Sequence, residues 1–214
     1  MSTQNSAPSR RGLSRGGESI GGRSPCDPSY RWDVATSTVE DYLKAILLEE
    51  ERDPGIPVAT GRLATLVAVT PGTVTAMLKT LAESGLVAYE PYGGAQLTPA
   101  GRQLALRVLR RHRLIELFLV QIVGLDWSEV HDEAERLEHA VSERLIGRMD
   151  EMLDHPADDP HGDPIPSAKL KVRTLDYSAL AAAEVGVRYR VARIADQSPE
   201  FLRLVEKVGL RPGK

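Results

Sequence analysis

Cysteine is almost missing from this chain of 214 residues: Cys26 stands alone in a stretch rich in Ser, Gly and Pro. Without a second thiol there is no internal disulfide framework, and one sulfur is a poor start for a metal site. Long apolar runs are missing too. Nothing approaches the roughly 18 consecutive apolar residues of a bilayer-spanning helix, so no membrane span is expected. The first residues carry no apolar signal-peptide core, and the expected compartment is the cytoplasm. Strong charge of either sign is also lacking, with a formal net charge of −3 and a pI of about 6.0. A globally basic nucleic-acid binder is excluded, so any DNA contact has to come from a local patch.

The length suffices for one full core, with room for two small ones. Residues 1–35, nearly free of aliphatics, are expected to be a disordered tail. Arg10, Arg11, Arg15, Arg23 and Arg31 make it basic, which suits a solvated leader or an arm trailing along DNA. Patterning starts after it. A helix capped at Ser37 or Thr38 carries the stripe Val39, Leu43, Ile46 and Leu47. Asp41 falls on the opposite side, where by itself it reads as a first-turn carboxylate favoured by the helix dipole. A short helix ends near Leu66, and Thr70-Pro71 then supplies the N-cap and first residue of another. That helix turns Val74, Met77, Leu78 and Leu81 inward. Thr70, Gly72, Thr73, Thr75, Ala76 and Lys79 are the candidate DNA contacts, since hydroxyls bond phosphate oxygens and small methyls can meet a thymine methyl. A plain three-helix packing unit fits these residues as well. The hairpin that follows, Leu86–Tyr89 and Ala95–Thr98 around Pro91-Tyr92-Gly93-Gly94, points instead to a winged helix. Its tip has no Arg or Lys.

Thr98-Pro99 opens a long helix to Val123 that carries Arg102, Arg107, Arg110, Arg111 and Arg113. His112 and Glu116 lie at i, i+4, a spacing that can share one ion but is more often a surface pair. Asp126 and Glu129 read as a capping box for the next helix. There His131, Glu135, Glu138 and His139 fall at i, i+4, i+7 and i+8 on one face, which suits a divalent metal better than solvent. The stripe Val130, Ala134, Leu137, Val141 and Leu145, added to Leu106, Leu109, Leu117 and Leu119, exceeds what one small domain needs, so a homodimer is expected. Ser142 caps a continuation to about Leu153. Residues 167–187 read as linker, Arg188–Ile194 alternates like a strand, and Ser198-Pro199 opens a short helix to about Val208.

Three segments, in this order, resemble the DtxR/MntR family of metal-dependent transcriptional repressors over about residues 38–166. They are Arg111-His112-Arg113-Leu114 with Glu116, Val130-His131-Asp132-Glu133-Ala134-Glu135 with Glu138-His139, and His161-Gly162-Asp163-Pro164-Ile165-Pro166. The resemblance implies a mainly α fold. A winged helix-turn-helix would occupy 36–101 and a helical metal-binding and dimerisation domain 102–166. An SH3-like (FeoA-like) segment at 188–214 would be too short to close a barrel. Carried over by position, the regulatory site takes Asp41, Glu135, Glu138 and His139, and an ancillary site takes His112, Glu116 and His131. Gln197 and Glu200 match C-terminal ligand positions. Iron-sensing members place Met and Cys where this chain has Asp41 and Glu135. Carboxylates there harden the site, so Mn(II) is the expected ion, Fe(II) the alternative, with Zn(II), Co(II) or Cd(II) able to substitute in vitro. Manganese members with a paired site have a carboxylate where Lys44 stands, so two separated sites are expected. The implied function is a Mn(II)-activated dimeric repressor of a palindromic double-stranded DNA operator, with no enzymatic activity, no membrane partner and no small-molecule substrate. Two other classes compete. A metallo-enzyme would need a nucleophile, base and substrate loop that do not accompany the ligands, and a metal-independent winged-helix regulator would leave the His/Glu face purely structural.

Overall fold

Helix α1, Ser37–Arg52, begins one residue before the expected caps, because the Thr36 side chain accepts from the Val39 amide. The computed structural model describes residues 36–174 and 176–214; the tail at 1–35, with its arginines and Cys26, lies outside the described residues. Leu43, Ile46 and Leu47 are fully buried on one side of α1. Next come α2, Thr60–Leu66, and α3, Pro71–Glu83, which meet at 106°. This falls in the range of helix-turn-helix pairs. Thr70 caps α3 with Pro71 at its start, as its sequence dictates.

Strands β1, Val87–Glu90, and β2, Gly94–Leu97, form an antiparallel hairpin in register Val87↔Leu97. A single bridge from Val58 to Ala95 adds the segment before α2 to its edge. The turn places Tyr92 at φ 64 and leaves its ring fully exposed, an uncommon conformation for an aromatic residue. No single helix among the described residues is long and apolar enough to cross a membrane.

Helix α4, Pro99–Phe118, packs along α1 and then onto α5, Val130–Leu137, and α6, Glu143–Met152. Leu114, Ile115, Val130, Ala134, Ile146, Met149 and Ile165 make the core of this helical part. Its last turn, Leu119–Val123, is π-helical and ends at Gly124 with φ 83. Asp126 does not cap α5 as expected. Its Oδ1 accepts from the Ser128 amide and hydroxyl at 2.8 and 2.6 Å in a local turn, and Glu129 turns outward to Arg203. Helix α5 therefore starts at Val130. Ser142 caps α6, so the expected continuation is a separate helix.

Leu106, Leu109, Leu117 and Leu119 are buried within the chain, so they are not surplus surface for a dimer. The uncovered apolar side chains of this region are Ile122, Val123, Leu125, Leu145 and Met152.

No SH3-like sheet forms among the described residues. Residues 188–194 pair with no strand; Val191 alone exchanges hydrogen bonds with Gly213 and Lys214, at 2.8 Å each. The alternation in this segment reflects one-sided packing. Val191, Ile194, Leu202 and Val205, the last two from α7, Pro199–Lys207, cover Trp127. The same segment crosses Gly162, where a Cβ would meet the Ala192 carbonyl oxygen at 2.1 Å. Only glycine permits that approach.

Candidate metal centre

The sequence places acids at 40 and 41 on the first turn of α1 and the pair Glu138-His139 just past the end of α5. Folding brings them together. His139 Nδ1 lies 2.6 Å from Glu40 Oε2, and Glu40 Oε1 is held in turn by the Arg111 guanidinium at 2.7 Å. A carboxylate can only accept from a ring nitrogen, so Nδ1 donates to Glu40, and Nε2 is the nitrogen whose lone pair the neutral imidazole would offer to an ion. That lone pair faces Asp41 Oδ1 at 2.8 Å and Glu138 Oε1 at 3.4 Å. Asp41 Oδ1 is buried and has no aligned hydrogen bond. Burial holds the Asp41 carboxyl above its ordinary range despite the opposing pull of His139 and Lys44. Two oxygens and a lone-pair nitrogen, all within 4.8 Å of one another, repel unless a cation or proton stands among them. The donor set therefore fits a divalent ion of intermediate hardness.

A second cluster lies beside the first. His112 Nε2 is 3.0 Å from Glu116 Oε1 and 3.2 Å from His131 Nδ1, and His131 Nδ1 is 3.3 Å from the same Glu116 oxygen. His112 Nδ1 meets Glu138 Oε2 at 2.6 Å, so Glu138 orients this imidazole with one oxygen and faces Asp41's cluster with the other. Burial alone would lower the His112 imidazole, yet Glu116 and Glu138 hold it up at about 9. Glu116, which burial would raise, is instead lowered by His112 and His131.

Glu135 departs from expectation. It sits with His112 and His131 as a candidate donor rather than with Asp41, Glu138 and His139. The cause is Lys44, whose Nζ lies 2.6 Å from both Glu135 Oε1 and Glu138 Oε1. This buried ammonium lies between the two clusters and neutralises carboxylate charge there. A pocket of about 220 Å³ opens over it, lined by Lys44, His112, Glu116, His131, Glu135 and Gln197 among others. Gln197 donates to Asp163 Oδ2 at 2.6 Å. Glu200 is exposed on the first turn of α7 and outside the pocket lining.

Four of the five α4 arginines are engaged internally: Arg102 pairs with Glu50, Arg110 with Asp150, Arg111 with Glu40, and Arg113 with Asp159 and Asp163, while Arg107 is exposed. The outward face of α3 is free by comparison. Thr70, Gly72, Thr73, Ala76 and Lys79 are exposed and Thr75 is partly so. With Tyr89, Tyr92 and Gly93 of the wing, Thr75 and Lys79 line a cleft of about 470 Å³.

Glu40 was invisible in the sequence as anything but a helix-start acid. Its only signal was adjacency to Asp41, while its imidazole partner is 99 positions away. Removing an orienting partner of this kind usually costs about 10–100-fold in metal affinity. Glu40→Gln is expected to weaken Mn(II) binding to that degree while leaving the helical circular dichroism unchanged, as titration calorimetry would read.

Comparison with known proteins places the chain among relatives. Residues 35–95 match the family described as iron dependent repressor, N-terminal DNA binding domain. Residues 98–167 match the iron dependent repressor metal binding and dimerisation domain. A diphtheria toxin repressor of Corynebacterium efficiens is 42% identical over 60% of this chain and 55% of its own length. The match thus spans about half the length of this repressor and of its Corynebacterium glutamicum counterpart. An uncharacterized HTH-type transcriptional regulator of Methanocaldococcus jannaschii is 40% identical over 53% of this chain and 90% of its own. Among solved structures, a manganese-dependent transcriptional repressor in complex with manganese superposes with a TM-score of 0.75 at 44% identity, covering 82% of this chain and 80% of that one. With both halves matched in order and the donor clusters at their junction, this chain belongs to the DtxR/MntR family of iron- and manganese-dependent transcriptional repressors.

Proposed function

We propose that the protein is a Mn(II)-activated, homodimeric repressor that binds a palindromic operator in double-stranded DNA. The observation carrying this reading is the convergence of Asp41, from the first helix of the winged-helix part, with Glu138 and His139 of the helical part. These three are the regulatory ligands in this reading, with Glu135 at their edge, and His112, Glu116 and His131 are the ancillary ones. A divalent ion supplies positive charge and a shared centre for donors that otherwise repel. Asp41 and α1 are then held against α5, and α3 of each protomer is held at one spacing from its twin. Two such helices read half-sites about 34–36 Å apart, or a multiple of that. A coupling of about 1–3 kcal/mol between ion and DNA gives roughly 5–150-fold in affinity.

Mn(II) is favoured over Fe(II) because the donors at both clusters are nitrogen and oxygen, with no sulfur among the described residues there. The exposed apolar residues Ile122, Val123, Leu125, Leu145 and Met152 are surface for a second copy of the chain. Binding to a fragment of the gene's own upstream region, followed by fluorescence anisotropy at fixed salt, tests the reading. Tight binding is expected with Mn(II), weaker binding with Fe(II) under reductant or Zn(II), and little with chelator. Equal affinity with chelator and with metal would overturn it. On the DNA side, Lys79→Ala is expected to weaken binding across sequences and to lower the slope of log affinity against log salt by about 1.

A further inference from the structure

We propose that Glu50 is the positioning residue that passes the state of the metal centre on to the wing and to α3, an inference that rests on the Mn(II)-activated reading above. Glu50 lies on α1 nine residues after Asp41, about 14 Å further along the axis at 1.5 Å per residue. Its side chain is 9% exposed, and its carboxylate holds two other elements. Oε1 accepts from the Leu97 amide, at the end of β2, at 2.7 Å. Oε2 accepts from the Arg102 guanidinium, near the start of α4. Beside it, Glu49 takes the Arg62 guanidinium of α2 with both oxygens, at 2.7 and 2.8 Å. The last turns of α1 thus bond to the wing, to α4 and to α2, and α3 packs in turn on α2 and β1. Neither acid stands among the donors of the metal clusters.

Helices α1 and α4 are tied near both ends. Glu40 pairs with Arg111 at one end and Glu50 with Arg102 at the other, so the two run antiparallel. Between these ties α1 buries Leu43, Ile46 and Leu47. Apolar packing is non-directional and lets helices slide past one another by small shear. A hydrogen bond is less tolerant: a slide of about 1 Å takes the Leu97 bond out of range. Glu50 is therefore the contact that turns a displacement of α1 into one of the wing. The displacement starts at Asp41, which an ion draws toward Glu138 and His139 and which those donors repel when nothing positive stands among them. Without the Glu50 bonds, α1 would settle on the ion while β2 and the start of α4 stayed where they were.

The test compares two DNA affinities, with Mn(II) and with chelator, by anisotropy on the upstream fragment at fixed salt. Calorimetry of Mn(II) binding to the DNA-free protein accompanies it. Glu50→Ala removes both bonds, whereas Glu50→Gln keeps an oxygen for the Leu97 amide and loses the charge facing Arg102. In both variants the Mn(II) affinity without DNA is expected to match the wild type. The ratio of the two DNA affinities is expected to fall toward one in Glu50→Ala, from the roughly 5–150-fold of the wild type, with Glu50→Gln in between. A residue that merely supports the wing would lower both DNA affinities together and leave their ratio alone. A wild-type ratio in Glu50→Ala would therefore overturn the proposal. Should that variant melt below the assay temperature, Glu50→Gln decides: a reduced ratio upholds the proposal and a wild-type ratio overturns it. A loss of Mn(II) affinity in the DNA-free variants would also overturn it, because Glu50 would then act on the metal site itself. Failure of the underlying reading shows differently, as a ratio of one in the wild type.

Discussion

Glu138→Ala is expected to abolish metal-dependent DNA binding, erasing the roughly 5–150-fold gain that the ion would give. The side chain is completely buried and serves three partners. Its Oε1 accepts from Lys44 at 2.6 Å and faces His139 Nε2 at 3.4 Å, while Oε2 meets His112 Nδ1 at 2.6 Å. In the proposed reading alanine would remove one regulatory ligand and release the imidazole of the second cluster, so both ions would lose affinity together. Glu138→Gln separates the functional loss from the structural one. It keeps the volume and one acceptor but loses the charge, so it should remain folded and still lose the metal response. Anisotropy with and without Mn(II), beside a thermal melt of the same samples, reads both. A preserved metal response in Glu138→Gln would remove this residue from the regulatory set.

The second large effect is expected at Lys44, in the metal-free protein. Its side chain is 8% exposed, and its ammonium group joins α1 to Glu135 and Glu138. Removing one partner of a buried pair costs about 3–5 kcal/mol, because the remaining charges lose their counterion. The lower end applies here, since Glu135 is 37% exposed and solvent screens its share. Lys44→Ala should therefore lower the melting temperature without metal by about 6–12 °C for a chain of this size. Mn(II) should restore more stability to the variant than it adds to the wild type, since the ion then supplies charge that the lysine no longer does. A melting temperature unchanged without metal would mean that the Lys44 pairs contribute nothing to folding. An equal Mn(II)-induced shift in both proteins would mean that lysine and ion do not share the same charge deficit.

These residues also mark the line between what the sequence discloses and what only folding does. Thr70-Pro71 and Thr98-Pro99 start their helices as written, because a cap and a fixed proline φ are local chemistry. The donor pattern from His131 to His139 is local as well, and all of its members reach the junction. Lys44 could be seen only as a residue that was not a carboxylate. Its role depends on partners 91 and 94 positions away, which no spacing along α1 encodes. Glu129 and the segment 188–194 failed for the opposite reason. Their patterns were genuine, but Ser128 took the Asp126 side chain, and Trp127 gave the alternating residues an apolar surface to lie on without a strand to pair with. His161 stands in a motif legible in the sequence, yet the roles of its ring nitrogens are set only where the Trp127 carbonyl fixes the ring.

Under the proposed function, Asp41 on α1, in the same winged-helix part as α3, would make the operator an effector of the ion. Thermodynamic linkage is reciprocal: whatever factor Mn(II) adds to the affinity for DNA, DNA adds to the affinity for Mn(II). Protein seated on its operator should then release the ion more reluctantly than protein free in solution, by the same factor. The concentration at which repression lifts would then be a joint property of the chain and the site it occupies, and strong operators would be the last to be vacated as manganese falls.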